Sequence, residues 1–210
     1  MPDLMRGALH DAGDLVEFRS DLPMPDPISG TALIRVRQTG ICGSDLHMNN
    51  ERTEPQKVPS GHEVAGEVVV IPTGETRVKV GDRVAIETIG AGQSCGECWY
   101  CRFGQFRHCE RKIGDTGGGF AEYMTRKPVG LFKIADGMDW TEAALVEPLA
   151  VSVHAVRWGR IGRGDTVAVV GSATIGLAAI VAAREMGAGK IIASARHPHQ
   201  AEAAARLGAD

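Results

Sequence analysis

The sequence contains little that would direct it to nucleic acid or into a membrane. Its 210 residues hold 23 Lys and Arg against 26 Asp and Glu, a formal net charge of −3. A chain this close to neutrality lacks the basic excess with which proteins bind nucleic acids or anionic lipids. No run of 18 apolar residues occurs, so we expect no membrane-spanning helix.

Targeting signals and disulfide patterning are missing as well. The opening segment, MPDLMRGALHDAGD, has neither the basic stretch nor the apolar core of a secretory signal peptide. The chain has five cysteines, and an odd number suits a complete set of disulfides poorly. We therefore predict a cytoplasmic protein in a reducing compartment, where clustered cysteines more often bind metal than pair.

Residues 1–135 lack helical periodicity of any length. Residues 1–30 are rich in turns, with prolines at positions 23, 25 and 27. Several later segments alternate apolar and polar residues or are rich in β-branched ones, which predicts short strands. These segments are 31–40, 62–71, 81–89, 118–126 and 130–134.

The pattern changes after residue 135 to one typical of an α/β protein. Asp139 and Glu142 have the spacing of a capping box, and the helical spacing after them is interrupted at Pro148. The succession that follows predicts the first βαβα of a doubly wound sheet, with strands buried on both faces. Its segments are strand 165–170, glycine turn 171–176, helix 177–188, strand 190–195 and helix 199–208. We place a domain boundary near residue 150, between domains 1–150 and 151–210.

Four of the five cysteines are crowded into CGECWYCRFGQFRHC, which begins at residue 95. The spacing is C-x-x-C-x-x-C-x7-C, and short turns of this kind let thiolates converge on one ion. Four thiolates complete a tetrahedral zinc site and leave no position for substrate, so such a site is structural. An iron–sulfur cluster also takes four thiolates, and unligated thiols are the third alternative. The four are Cys95, Cys98, Cys101 and Cys109.

The fifth cysteine, Cys42, stands apart in GICGSDLH, and GHE follows about twenty residues later. Cys42, His62 and Glu63 would give zinc three protein ligands and one open position, the arrangement of catalytic zinc sites. Taken alone, these residues are as compatible with a buried thiol and a core histidine. Beside a four-cysteine segment and a nucleotide-type α/β pattern, we favour a metal site.

These motifs together resemble the zinc-dependent medium-chain dehydrogenases, in the branch of sorbitol and threonine dehydrogenases. The matching segments run in family order over most of the chain, and the cysteine segment and GHE are the specific ones. The resemblance implies a GroES-like β-rich N-terminal domain followed by the first part of an α/β Rossmann domain. The segments are GICGSDLH, PSGHEVAGEVV, VKVGDRVA, CGECWYCRFGQFRHC, GGFAEYM, EPLAVSVHAV and VAVVGSATIG.

The resemblance also implies roles for single residues. It makes Cys42, His62 and Glu63 the catalytic zinc ligands and brings Glu147 of EPLA to the metal, although Glu147 could equally be a helix-end carboxylate. Zinc would act as a Lewis acid on an alcohol or polyol, and hydride would pass to a nicotinamide cofactor.

Ser44 and His47, which follow Cys42 in the sequence, could move the proton of the substrate hydroxyl. Ser44 could accept the hydroxyl proton and His47 could pass it outward, unless they are a turn hydroxyl and a surface residue. Asp45 would hydrogen-bond a ligand histidine and fix its tautomer.

The nucleotide fingerprint departs from the family pattern at two places. The expected G-x-G-x-x-G is written Gly171, Ser172, Ala173, Thr174, Ile175, Gly176, with alanine at the middle glycine. The second strand is followed by ASARHPHQ, which lacks the acid that usually binds the ribose of NAD. Arg196 lies there instead, so we predict NADP rather than NAD, with a solvated loop as the alternative.

The chain ends at Asp210, after two predicted strands of a domain that in the family has six. A non-catalytic zinc-binding remnant is therefore the alternative to an active dehydrogenase. The resemblance implies a small-molecule alcohol or polyol substrate and a homo-oligomer, since the family is commonly dimeric or tetrameric.

Overall fold

The computed structural model describes residues 3–10, 16–28, 30–47, 54–114 and 116–210. The chain divides into two compact units, Met1–Leu145 and Val146–Asp210. The first unit is β-rich and the second is an α/β unit, so the predicted mixed fold class is confirmed. The predicted turn-rich segment extends over residues 1–2, 11–15 and 29, which lie outside the described residues.

The rest of that segment is more regular than the prediction. Strands β1 (Leu4–His10) and β2 (Val16–Pro23) form an antiparallel hairpin. The prediction of a turn-rich segment did not place these two strands. Only Met5, Leu9 and Leu22 of this hairpin reach its small core with Ala121, so the apolar signal was sparse. An isolated bridge from Gly7 to Ala121 ties the hairpin to the rest of the first unit.

A five-stranded antiparallel sheet forms the centre of the first unit. Its strands are β3 (Ala32–Thr39), β4 (Val64–Val70), β5 (Arg83–Ile86), β6 (Tyr123–Arg126) and β7 (Leu131–Lys133). They lie in the order β6-β3-β4-β5-β7. Each falls within a segment that the sequence predicts to be a strand. The last three are shorter than predicted because their flanking residues form loops and turns.

Alternation along these strands produces the core of the first unit. Ile34, Val64, Val68, Val84 and Met124 are all fully buried in one cluster. Burying a side chain of this size stabilises a fold by about 1.5–3 kcal/mol. The sheet is thus a rigid base, and the loops that leave its strand ends carry most of the predicted metal ligands.

Short helices interrupt this β-rich unit, although residues 1–135 show no helical periodicity in the sequence. They are α1 (Gly43–His47), α2 (Trp99–Arg102) and three 3-10 turns, Ala91–Gln93, Phe106–His108 and Pro128–Gly130. Elements of three to five residues are too short for a helical period to appear in the sequence.

Helix α3 (Trp140–Ala144) closes the first unit and begins as the sequence predicts. The Asp139 carboxylate accepts a hydrogen bond of 2.7 Å from the Glu142 backbone N–H, and the Glu142 carboxylate accepts one of 3.0 Å from the Asp139 backbone N–H. This confirms the capping box. Its buried face, Ala143 and Ala144, packs on Ala65 of β4.

The second unit contains helix α4 (Val146–Trp158), strand β8 (Thr166–Val170), helix α5 (Thr174–Glu185), strand β9 (Lys190–Ser194) and helix α6 (Pro198–Arg206). The two strands pair in parallel with Val167 opposite Ile191, which confirms the predicted succession. The helical pattern was predicted to be interrupted at Pro148, but the break between α3 and α4 lies at Leu145. Pro148 is in the first turn of α4, where a missing N–H breaks no helical hydrogen bond.

The predicted burial of both sheet faces in the second unit is wrong for the described residues. Val167 and Ile191 are buried, but the neighbouring Val170 and Ile192 are 92% and 51% exposed. One face is covered by helices and the other presents apolar side chains. No helix in the described part of the chain is long and apolar enough to cross a membrane.

Candidate metal centres and cofactor site

The four clustered cysteines converge on one point. The lobe that they form is defined here as residues 95–109. Their sulfur atoms all lie within 4.8 Å of one another. The Sγ atom of Cys101 lies 3.5 Å from that of Cys98 and 3.9 Å from that of Cys95. All five cysteines of the chain are outside disulfides.

These distances suit a single ion. Four sulfurs at about 2.3 Å from one zinc would lie about 3.8 Å apart at the corners of a tetrahedron. A disulfide would bring two of them to about 2.05 Å, and an iron–sulfur cluster would spread them around several iron atoms. The arrangement therefore fits one zinc better than either alternative.

The surroundings of the lobe cysteines shift the pKa values of two thiols in opposite directions. Backbone N–H groups of Glu97 and Cys98 lower the pKa of Cys95 to about 6, and both lie within 3.4 Å of its sulfur. Burial instead raises the pKa of Cys101 to about 11. These surroundings thus favour the thiolate form of Cys95 and disfavour that of Cys101. A dication would remove this conflict, because it stabilises every thiolate that binds it.

The second cluster joins residues that are about twenty positions apart. Cys42 follows β3 at the start of the α1 loop, and His62 and Glu63 directly precede β4. Because β3 and β4 are antiparallel neighbours, the end of one strand lies beside the start of the other. Ligand atoms of Cys42, His62 and Glu63 all lie within 4.8 Å of one another. Sulfur, imidazole and carboxylate form a donor set that suits zinc.

Neighbouring residues hold this cluster in place. Asp45 accepts a hydrogen bond of 2.9 Å from the Cys42 backbone, and its other oxygen lies 3.4 Å from His62 Nδ1. That contact leaves His62 Nε2 as the nitrogen available to an ion. The Thr88 hydroxyl donates a 3.2 Å hydrogen bond to the His62 carbonyl oxygen. The sequence analysis missed Thr88, which follows β5 without any motif around it.

Gly40 is a second residue that the sequence analysis missed. A Cβ atom at this position would lie 2.0 Å from Glu63 Oε2, so only glycine leaves room for the carboxylate as it is placed. Its backbone N–H also donates a 2.8 Å hydrogen bond to the Glu63 carbonyl oxygen. The sequence feature that could have identified Gly40 is its position directly after β3 and directly before ICGSDLH.

The two predicted proton carriers lie on the same short helix in different surroundings. Ser44 lines a cavity of about 490 Å³ that His62 and Asp45 also border. His47 is exposed at the last turn of α1 and does not line this cavity. Both residues are exposed, but Ser44 borders the cavity beside the Cys42 cluster and His47 does not.

Arg126 lines the same cavity and is 2% exposed, although no motif marked it. Its guanidinium donates to the carbonyl oxygens of Thr116, Thr125, Gly117 and Thr88, over distances of 2.7–3.5 Å. Burial lowers its pKa to about 10, so it stays protonated at neutral pH. Its Nε atom has no hydrogen-bond partner within the described residues.

The glycine turn of the second unit lies between β8 and α5. Gly171 has φ +96°, a conformation that favours glycine, and a Cβ at Gly176 would lie 1.8 Å from the Gly171 carbonyl oxygen. Ala173 is the N-cap of α5, which begins with Thr174 and Ile175. The first and last glycines are therefore required by the backbone, whereas Ala173 occupies the position closest to the helix N-terminus.

The remaining predicted residues also lie in the second unit. Arg196 is exposed after β9, and its backbone N–H donates to Gln200 Oε1 at 3.1 Å. Its guanidinium forms no ion pair with any described residue. His197 and His199 stack with ring centroids 5.6 Å apart. Glu147 lies in the first turn of α4 and is half-buried.

Comparison with known proteins identifies the family. Residues 29–136 match the alcohol dehydrogenase GroES-like domain. A sorbitol dehydrogenase from Bacillus subtilis (strain 168) is 38% identical over 90% of this chain and 55% of its own length. An L-threonine 3-dehydrogenase from Francisella philomiragia is 36% identical over the same shares. The chain thus spans about half the length of the curated relatives that it matches.

A solved structure agrees with these relatives. It is described as a zinc-binding dehydrogenase from Sinorhizobium meliloti 1021, bound to NADP, and it superposes with a TM-score of 0.84. The identity is 31%, over 99% of this chain and 61% of that one. The chain belongs to the alcohol dehydrogenase GroES-like domain family, among the zinc-type medium-chain alcohol and polyol dehydrogenases.

Proposed function

We propose that the chain is part of a zinc-dependent oxidoreductase that transfers a hydride between a secondary alcohol or polyol and a nicotinamide cofactor. One observation carries this proposal: Cys42, His62 and Glu63 converge within 4.8 Å beside a cavity of about 490 Å³. A cavity of this size suits a small molecule. The sorbitol and threonine dehydrogenases among its relatives support an alcohol substrate.

The catalytic ion would be zinc, held by Cys42, His62 and Glu63, with Glu147 as a further carboxylate. One thiolate and one carboxylate neutralise a dication, so the three-residue set balances its charge. When bound, zinc supplies a Lewis acid and the nicotinamide supplies a hydride acceptor. Asp45 keeps the His62 ring in one orientation, because its carboxylate lies at Nδ1.

The chain's own residues would move the proton. Ser44 lines the cavity and would relay the proton, accepting the one that the substrate hydroxyl releases while it passes its own hydroxyl proton on toward His47. His47 is exposed on the same helix and passes the proton to solvent. Placement supports this division, because Ser44 lines the cavity and His47 does not.

A second zinc would lie in the four-cysteine lobe and serve a structural role. The sulfur atoms there surround a space for a single ion and leave no donor position open to substrate. Each chain would therefore hold two zinc ions. We also assign the protein to the reducing cytoplasm, where clustered cysteines more often bind metal than pair.

The cofactor would be NADP, bound by Gly171, Ala173, Thr174, Ile175, Gly176 and Arg196. Arg196 is exposed directly after β9 and no acid lies in ASARHPHQ, so a 2′-phosphate meets a cation and no repulsion. We accordingly assign residues 1–150 to the catalytic domain and residues 151–210 to the start of the nucleotide-binding domain.

Three measurements on the protein test this proposal. Elemental analysis should find two zinc ions and no iron per chain. Titration with NADPH should show tighter binding than NADH, roughly tenfold or more, and Arg196→Ala should remove most of the difference. Oxidation of a secondary alcohol should then reduce NADP.

The contrary outcomes separate the alternatives. Two zinc ions without cofactor binding or turnover would indicate a non-catalytic zinc-binding protein. Iron in place of zinc would overturn the metal assignment. Equal affinity for both cofactors would indicate that Arg196 belongs to a solvated loop and does not bind the 2′-phosphate.

A further inference from the structure

The cavity beside the Cys42 cluster carries more positive charge than an uncharged alcohol needs. Among the residues that the structure describes, its lining includes two arginines, Arg107 and Arg126, and one carboxylate, that of Asp45. Asp45 is already engaged by the Cys42 backbone and His62. Glu87, outside the lining, acts electrostatically on Arg126, so Arg107 is the guanidinium without a balancing carboxylate among the described lining residues.

The two arginines differ in whether their guanidinium N–H groups are available to a ligand. Arg126 is buried, and its terminal nitrogens are used by four backbone carbonyl oxygens. Arg107 is exposed in the 3-10 turn Phe106–His108 of the lobe, and it forms no ion pair or side-chain hydrogen bond with any described residue. Arg126 thus adds fixed positive charge to the wall, and Arg107 has donors for a ligand.

A guanidinium in this position selects a particular ligand chemistry. Its paired N–H donors match the two oxygens of a carboxylate or phosphate, and it offers no acceptor to a hydroxyl group. Ser44 and His62 border the same cavity, so a molecule there can reach both regions. The cavity lining therefore offers partners for two different groups of one substrate.

Building on the proposed function, we infer that the substrate is a secondary alcohol carrying an oxyanion group, a carboxylate or a phosphate ester. The hydroxyl group lies at the Cys42 cluster, and Arg107 binds the oxyanion from the lobe. The four-cysteine lobe then has a second role, because it positions a residue that selects the substrate. Arg126 contributes by its charge and is not a direct ligand.

Equilibrium titration of the zinc-loaded protein tests this inference with matched pairs of alcohols. The pairs are 3-hydroxybutyrate with 2-butanol, and sorbitol 6-phosphate with sorbitol, at constant ionic strength. The charged member of at least one pair should bind about tenfold tighter or more. The pair with the larger ratio identifies a carboxylate or a phosphate as the preferred group.

Variants then assign the selectivity to Arg107. Arg107→Gln should bring the affinity ratio close to one, and Arg107→Lys should retain part of it. Arg102→Gln removes the same charge from an exposed residue of the lobe that does not line the cavity, so the ratio should persist. Unchanged melting temperatures would show that the variants fold.

The outcomes distinguish this inference from the proposed function. A ratio that Arg107→Gln leaves intact, or a charged member that binds more weakly, overturns the oxyanion assignment. If uncharged alcohols still bind in a zinc-dependent way, the dehydrogenase proposal stands without the oxyanion assignment. If no alcohol of either kind binds, both proposals fail.

Discussion

The first unit contains two cysteine-based clusters whose difference lies in their donors and surroundings. The lobe uses four thiols from one short segment, three of them buried. The Cys42 cluster uses three different donors from two strand ends and borders a cavity. A closed set of identical ligands stabilises a loop, whereas a mixed set with space beside it can also admit substrate. Under the proposed function, ligand type and access together assign the catalytic role to the Cys42 cluster.

The largest expected effect comes from His62→Ala. Loss of this ligand should remove one zinc per chain and lower oxidation of secondary alcohols by roughly a thousandfold or more, about 4 kcal/mol in barrier. Elemental analysis and steady-state rates measure the two effects. His154→Ala, in the second unit outside both clusters, is the control. Activity within about tenfold of the parent would exclude His62 from a catalytic zinc site.

The next effect, from Cys98→Ser, should appear in stability. The variant should also lose one zinc, but the zinc of the Cys42 cluster should remain. Because binding of a structural zinc contributes directly to folding, we expect a fall in melting temperature of roughly 10 °C. Calorimetry and elemental analysis check this, with Glu97→Gln in the same lobe as control. Retention of both zinc ions by Cys98→Ser would contradict the closed-site assignment.

These two sites were predicted to different degrees from sequence. The lobe could be recognised from its spacing alone, because its ligands come from one local segment whose turns bring them together. The Cys42 cluster could not, since its assembly depends on the pairing of β3 with β4. Arg126 and Thr88 were missed because carbonyl-binding residues leave no pattern in a sequence.

A smaller effect should follow from Gly40→Ala. The new methyl group would occupy the space of the Glu63 carboxylate and push it from its place in the cluster. We expect zinc affinity at this site to fall by about tenfold, as for other changes that disturb ligand orientation. Competition with a chelator measures it.

Gly43→Ala is the matched control for this variant, since its Cβ would meet no atom within 4 Å. The lobe should keep its zinc in both variants. Equal zinc affinity in Gly40→Ala and Gly43→Ala would show that Glu63 does not need its present position.

The smallest effect should come from Arg111→Gln. The Arg111 guanidinium lies 3.8 Å from Cys95 Sγ and 3.1 Å from Glu97, but it is exposed to solvent. Exposed pairs of this kind contribute about 0–1 kcal/mol, so stability and zinc content should hardly change. Chemical denaturation would detect a larger loss, which would mean that the lobe relies on this charge.

The sequence by itself determined the order of elements, the capping box at Asp139 and the four-cysteine lobe. Each of these depends on residues that are close along the chain. Tertiary structure alone decided that the hairpin β1–β2 forms, that one face of the β8–β9 sheet is exposed, and that Arg107 borders the cavity of the Cys42 cluster. These features depend on which distant segments pack together, and that is settled by strand pairing and burial rather than by local pattern.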